Sequence, residues 1–418
     1  MTRVNAVLHQ AYLPIGNVMG RIRALDWVSK RWLLYPLFTF VITRFVVIIG
    51  AYLAEIALPS QTGPEFWHAL PDNVFLDVMA RWDSGFYLNI ARDGYSLTPG
   101  QMSTVAFFPV YPMLMSLVAP LVGNNLVLAG VLVSNVMLFF ALVFLYLLTE
   151  LEYKDSQTAQ RTIFYIAAFP TALFFSAVYT ESTFLMFSVA TFYFARRRMW
   201  GWAGVMGMLT SAARIVGVVV WAVVLVEWLQ AHGWALSRIH RRESWLGVWR
   251  GLRQDSFSLL QISLIPLGLL SYMLFLNSRF GDPLAFWTTQ SAWGRGSRSL
   301  FGSIFHDIDG LLHQNFMTGA IWWSALLNLI VFFAVILLSL VVWRRFGTGW
   351  GVYSLLGVLI PAASGTGSII RYALVLFPIF MILGDWGRRP WLDRAILVIF
   401  AVFLGIFTAI FVNWVFLA

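Results

Sequence analysis

The sequence predicts an all-α polytopic membrane protein, and three observations carry that prediction. Of 418 residues, 60% are hydrophobic and only 11% charged, whereas roughly a quarter of the residues of a soluble domain carry charge. The apolar residues fall into runs, several of them long enough to cross a hydrocarbon core about 30 Å thick. The cations collect in alternate connections between those runs, as they do in loops held on the cytoplasmic side. This composition excludes a disordered chain, because so much apolar surface has to be buried. With no cysteine, disulfides, thiolate metal sites and cysteine nucleophiles are excluded too.

The first run, Trp32 to Ala57, is a full-length span. Arg44 lies near its middle and calls for an internal ion pair, since charge at that depth is costly. The next run, 105–122, contains Pro109, Pro112 and Pro120. Three missing backbone donors break helix geometry, and irregular backbone at membrane depth survives only where protein covers it. We read the segment as a re-entrant or broken helix. Further runs occupy 125–149, 161–178, 181–196, 199–213, 215–231, 257–277, 317–343, 349–363, 371–386 and 391–415, giving about eleven spans plus the re-entrant segment. The shorter ones must thin the bilayer or be buried among neighbours.

With the N-terminus in the cytoplasm, the inner segments collect 20 of the 28 cations. The outer loops collect Arg81, Arg92, Arg279, Arg295, Arg298 and Arg371, and Arg44 and Arg214 fall within spans. A full crossing by 105–122 would invert every later loop and destroy this bias. The chain therefore reads as one integral membrane unit over 1–418. It has a cytoplasmic segment 1–31, a first outer loop 58–104, a basic inner loop 232–256 and a second outer loop 278–316. The basic inner loop fixes topology and meets anionic lipid headgroups, so membrane lipid, not nucleic acid, is its expected partner. No nucleotide-binding glycine motif is present, which argues against a pump driven by bound ATP.

The densest chemical signal lies in the first outer loop, between Asp77 and Tyr95. Phe75, Met79, Trp82, Phe86 and Ile90 recur three or four apart, one face of an amphipathic helix lying along the outer membrane surface. Asp77 and Arg81 are spaced to pair. Asp83 and Tyr87 project together beside the apolar stripe. Asp83, at the lipid–water boundary next to Trp82, is the candidate general base; the plainer reading is a helix cap or surface salt bridge. Tyr179 and Glu181 stand at a span end on the same side. Gln290 and Arg295 sit in an aromatic-rich outer segment, Arg371 and Tyr372 open a span, and Arg214 lies at the outer end of another. Arginine suits a phosphate because its planar fork donates twice, so Arg214, Arg295 and Arg371 are the candidate phosphate ligands. Asp307 and Asp309 with His306 and His313 resemble a metal cluster, but one such spacing is common by chance. We assign no metal ligands and no cofactor, and leave a metal requirement open.

Arg81-Trp-Asp-Ser-Gly-Phe-Tyr87 with Ile90-Ala91 and Gly94-Tyr95 resembles the Trp-Asp-Ser loop of the PIG-V-like mannosyltransferases, GT-C-class polytopic glycosyltransferases that in eukaryotes add the second mannose of the GPI anchor. Ala106 to Pro112 resembles the family's proline–aromatic segment, and Phe169 to Ser182 its Pro…Tyr-x-Glu-Ser stretch. Ala213-Arg-Ile-Val-Gly217, Phe280 to Phe286, Gln290, Trp293-Gly-Arg295, Arg371-Tyr372 and Phe377-Pro378 continue the series in order. Arg214-Ile-Val-Gly lacks the Asn expected near that arginine.

The resemblance implies a GT-C-like fold and an inverting transferase. It would move a sugar, mannose by analogy, from a polyprenyl-phosphate donor to a glycolipid, glycan or protein acceptor at the outer or lumenal membrane face. Asp83 would be catalytic. Arg81, Trp82, Ser84, Tyr87, Tyr179, Glu181, Arg214, Gln290, Arg295, Arg371 and Tyr372 would bind substrate. The expected location is the plasma membrane of a prokaryote or the endoplasmic reticulum of a eukaryote. The competing class is a lipid or glycolipid transporter, which intramembrane arginines, short spans and prolines would also suit.

Overall fold

A computed structural model describes residues 30–415 apart from 59–60, 62, 64–65, 237–239, 241, 295–298, 314–319 and 364. Helix α1 (Arg31–Ala57) leads into a long connection with two short helices, α2 (Val74–Asp77) and α3 (Ser84–Asp93). Then come α4 (Val110–Val118), α5 (Leu126–Tyr153), α6 (Ser156–Ala167), α7 (Glu181–Arg196), α8 (Trp200–Ser211) and α9 (Val219–Ala231). Helix α10 (Arg242–Gln254) precedes α11 (Ser256–Ile262) and α12 (Leu264–Phe280). The connection that follows holds α13 (Ala285–Thr288) and α14 (Leu300–His313). The closing set is α15 (Ala320–Phe346), α16 (Thr348–Ala362), α17 (Ile369–Ala373), α18 (Phe377–Trp386) and α19 (Pro390–Val412). No strand occurs among the described residues.

Five segments are long and apolar enough to cross a membrane: α1, α5, α11 with α12, Trp322–Phe346 and α19. Val110–Val122, Ile215–Ala231, Thr348–Ala362 and Phe377–Trp386 are apolar but shorter. At 1.5 Å per residue, Val110–Val122 is about 20 Å long, short of the hydrocarbon thickness. It turns Met113, Leu117 and Leu121 outward, one stripe four residues apart, and buries Tyr111 and Met115. Helix α1 likewise exposes Phe38, Val41 and Phe45 while burying Thr43, Arg44, Val47 and Ala51 against α5, α6 and α19. Apolar side chains pointing out of a bundle are what a lipid solvent permits.

Three expectations are corrected by the tertiary structure. The amphipathic pattern of the first outer loop is not one helix: it breaks between Asp77 and Ser84. Met79, Ala80 and Arg81 are drawn into the core, and the Val178 N–H donates to the Met79 carbonyl at 2.9 Å. The expected span 161–178 is helical only to Ala167; a single 3-10 turn, Ala172–Phe175, interrupts the irregular chain that follows. Pro170 cannot continue the helix, and residues 167–185 are all buried, so protein rather than lipid meets this irregular backbone. Arg44 is not in the expected ion pair. Its guanidinium donates to the Ala167 and Ala172 carbonyls, each at 2.8 Å, and to Ser176 Oγ at 3.1 Å. It thus satisfies the Ala167 carbonyl at the end of α6 and joins it to the 3-10 turn that follows.

Candidate active site

The two irregular stretches, 78–83 and 168–180, run side by side and aim Asp83 and Glu181. Residue Trp82, at the turn into α3, has φ 54°, a left-handed conformation unusual for a non-glycine. The Tyr179 hydroxyl spans this turn: the Asp83 N–H donates to it at 3.1 Å, and it donates to the Arg81 carbonyl at 3.1 Å. Asp83 is the N-cap of α3, yet its carboxylate makes no capping bond. The carboxylate points at Arg371 instead, with Nη1 2.8 Å from Oδ2. Of the two plain readings of this aspartate, the cap is excluded and the ion pair is present.

Glu181 opens α7, where the helix dipole favours an anion, and it is fully buried. Arg371 Nε donates to its Oε1 at 2.5 Å, and Arg214 Nη1 lies 3.4 Å from the same oxygen. Arg371 lies over the rings of Tyr179 and Phe174, 4.6 and 4.9 Å from their centroids. Arg214 lies between Tyr372 and Phe184. It is held in extended backbone just after α8 because the chain folds back on that helix. A Cβ on Gly217 would stand 2.1 Å from the Thr210 carbonyl oxygen, so only glycine fits there.

This cluster of two acids and two guanidiniums borders a cavity of about 840 Å³. Asp83, Arg214, Arg371 and Tyr372 line it, as do Tyr87 from α3 and Gln290 from the turn after α13. Ala106, Phe107 and Phe108 form one wall, and Trp287 and Trp293 another. Phe86 stacks on Phe107 at 4.6 Å, which ties α3 to the proline–aromatic segment. Burial pushes the Tyr87 hydroxyl well above its ordinary value, so it serves as a neutral polar group and not as a base. Asp83 also borders a small apolar slot on its other side, with Trp82, Phe174 and Phe411.

The remaining sequence-selected residues lie elsewhere. Arg81 is fully buried, bonded to Asp77 at 2.6 Å and to the Val412 carbonyl at 3.2 Å, 3.5 Å from Glu55 and over the Trp414 ring. These contacts lock the loop to α19. Ser84 is fully buried as well and has no place on the cavity wall. Tyr179 and Glu181, expected at substrate, stand behind the cavity surface and hold Asp83 and the two arginines. Arg295 lies outside the described residues. Asp307 is bonded to Thr366 and His313 pairs with Asp309 at 3.1 Å; neither reaches this site. His68 bonds Asp77 at 2.6 Å. Burial opposes ionisation of Asp77, but the Leu70 N–H, Arg81 and His68 outweigh it and hold its carboxyl below the ordinary value of 3.8.

Sequence reading missed Phe174, Phe184 and Tyr353, the aromatic bed of the arginines and the cavity floor. Phe174 lies within the Phe169–Ser182 motif; Tyr353 carries no signal, because an aromatic in an apolar helix looks like any other.

A family model described as mannosyltransferase (PIG-V) matches residues 25–291. GPI mannosyltransferase 2 of Drosophila pseudoobscura pseudoobscura is 30% identical over 137 residues, 30% of this chain and 29% of the relative. The match thus spans less than a third of that relative. Crystal structures of ArnT from Cupriavidus metallidurans are similar in fold. The apo state gives a TM-score of 0.50 at 13% identity, covering 94% of this chain and 77% of that one. The form bound to undecaprenyl phosphate gives 0.48 at 12%, covering 90% and 76%.

Proposed function

This chain belongs to the mannosyltransferase (PIG-V) family, and on that premise we propose that it is an inverting glycosyltransferase. It moves mannose from a polyprenyl-phosphate donor to a hydroxyl of a glycolipid, glycan or protein acceptor. The fold is that of the GT-C polytopic membrane glycosyltransferases, and the protein is integral to a membrane. The observation that carries the reading is the placement of Asp83 and Arg371, 2.8 Å apart, at the edge of a large, mostly apolar cavity.

Asp83 removes a proton from the acceptor hydroxyl. The acceptor oxygen attacks the anomeric carbon on the face opposite the phosphate, a new C–O bond forms, and the sugar–phosphate bond breaks. Its electron pair leaves on the polyprenyl phosphate, which needs cations rather than a proton. Arg371 and Arg214 face the cavity for that purpose, with Arg295 of the second outer loop as a further candidate. Both described arginines are already neutralised by Asp83 and Glu181. An arriving phosphate therefore competes with Asp83 for Arg371, which leaves the carboxylate freer as a base when the donor is in place. Gln290, Tyr87 and Tyr372 border the sugar's volume, and the aromatic walls suit its ring and the first isoprene units. We place the site on the extracytoplasmic face, as the cation distribution argues. Family membership favours transfer over the transporter reading.

The test supplies purified protein with radiolabelled polyprenyl-phosphate mannose and a membrane extract. Label moves to a new product with the wild type, and Asp83→Asn slows that transfer by about 10²–10⁴-fold. Normal turnover by a normally expressed Asp83→Asn refutes the assignment.

A further inference from the structure

We propose that Tyr179 is a positioning residue that registers both members of the Asp83–Arg371 pair. This rests on the reading of Asp83 as the base and deepens it. The tyrosine has two working parts. Its hydroxyl accepts the Asp83 N–H and donates to the Arg81 carbonyl, 3.1 Å each, closing the turn whose apex is the left-handed Trp82. Its ring lies 4.6 Å beneath the Arg371 guanidinium. One side chain thus fixes the backbone of the base and the plane of the cation that faces it.

The side chain can do this because it is itself immobile. It is buried and edge-packed by Phe174, Tyr87 and Phe411, with ring centroids 4.8, 6.2 and 6.0 Å away. Its own backbone is pinned too. The Val178 N–H donates to the Met79 carbonyl at 2.9 Å, and Ser134 Oγ lies 2.7 Å from the Ala177 carbonyl and 3.3 Å from that of Tyr179. Without the hydroxyl, the Asp83 N–H loses its partner and the Arg81 carbonyl keeps only the Ser84 N–H, 3.1 Å away, so the turn at the left-handed Trp82 is held less firmly. A turn free to relax swings the Asp83 carboxylate relative to Arg371. Misplacement of a catalytic group by about 1 Å is enough to slow a reaction about 10²-fold.

The two parts separate by substitution. Tyr179→Phe keeps the ring under Arg371 and removes only the hydroxyl. The expected result is kcat lower by about 10- to 100-fold, the donor KM within about twofold of wild type, and a melting midpoint in detergent only slightly lowered, as the loss of buried hydrogen bonds requires. Tyr179→Leu also removes the ring, and the donor KM rises as well. Incorporation of 4-aminophenylalanine at position 179 restores a donor at the turn and recovers most of kcat. Hydrogen exchange reads the clamp without any assay of turnover: the Asp83 amide exchanges faster in Tyr179→Phe than in wild type, and this holds for whatever folded fraction the variant yields. Wild-type kcat and exchange in Tyr179→Phe, with Asp83→Asn inactive, overturns the clamp alone. A rise in KM at constant kcat overturns it in favour of direct substrate contact. An active Asp83→Asn overturns the base reading and the clamp's catalytic purpose with it.

Discussion

At the scale of single residues, Glu181 does what sequence position cannot convey: it is a fully buried acid shared by two arginines. Removing one partner of a buried charge set leaves the others uncompensated, at a cost of about 3–5 kcal/mol. Glu181→Gln is therefore expected to lower the melting midpoint in detergent as well as turnover, whereas Asp83→Asn, at a more exposed position, loses turnover with little change in melting. Arg371→Lys keeps the charge but loses the fork that reaches Asp83 and Glu181 together; kcat should fall by about 10²–10³-fold. Asp77 adds a pH dependence. Its carboxyl is held below 3.8 in the folded chain, so the stability it contributes is present above that value and is lost as pH falls through the folded one. The gap in melting midpoint between wild type and Asp77→Asn should thus be wide at neutral pH and narrow below about pH 4.

At the scale of elements, the site is made where regular structure stops. The apolar residues of the first outer loop do recur at helical spacing, and the short α3 does form, but the pattern gave no sign of the break at 78–83 that aims Asp83. A partner strand of backbone, residues 177–179, decides it. The same holds for 168–180, where a proline is legible and the path after it is not. Close approaches matter here more than propensity. Gly217 lets the Arg214 turn fold against α8, and Gly217→Val, with a Cβ 2.1 Å from the Thr210 oxygen, should raise the donor KM several-fold by displacing Arg214. Gly268 of α12 sits against the Met208 carbonyl of α8, 2.0 Å from where a Cβ would lie. Small residues at such crossings let helices pack in lipid, and Gly268→Leu should cost folded yield while leaving the specific activity of the folded fraction near wild type.

At the scale of the whole molecule, an apolar bundle encloses a polar cluster that is close to neutral overall. That is the arrangement a membrane tolerates, and a further anion enters only by drawing an arginine away from its acid. The proposed orientation is open to direct mapping because the chain has no cysteine. Single cysteines at the exposed positions Thr98 and Ser278 should react with an impermeant maleimide added from the extracytoplasmic side. Cysteines at Lys154 and Arg389 should react only after the membrane is opened. The reverse pattern would place the cavity on the cytoplasmic side and remove the argument for an extracytoplasmic donor.

Composition and hydrophobic patterning were enough for the class of protein and most of its long helices, and local motifs for the segments proposed as the site. Hydrophobic runs and cation placement are one-dimensional quantities, and the motif around Asp83 is local. Only the tertiary structure decided which residues meet. Asp83 and Arg371 are 288 residues apart and Glu181 and Arg371 are 190 apart, distances over which periodicity says nothing. The reason is physical: a buried guanidinium is placed by whichever carboxylates, carbonyls and rings converge on it, and convergence is a property of packing. That is why Arg44 settled on carbonyls, Arg81 on Asp77 beside α19, and Arg371 on the two acids at the cavity.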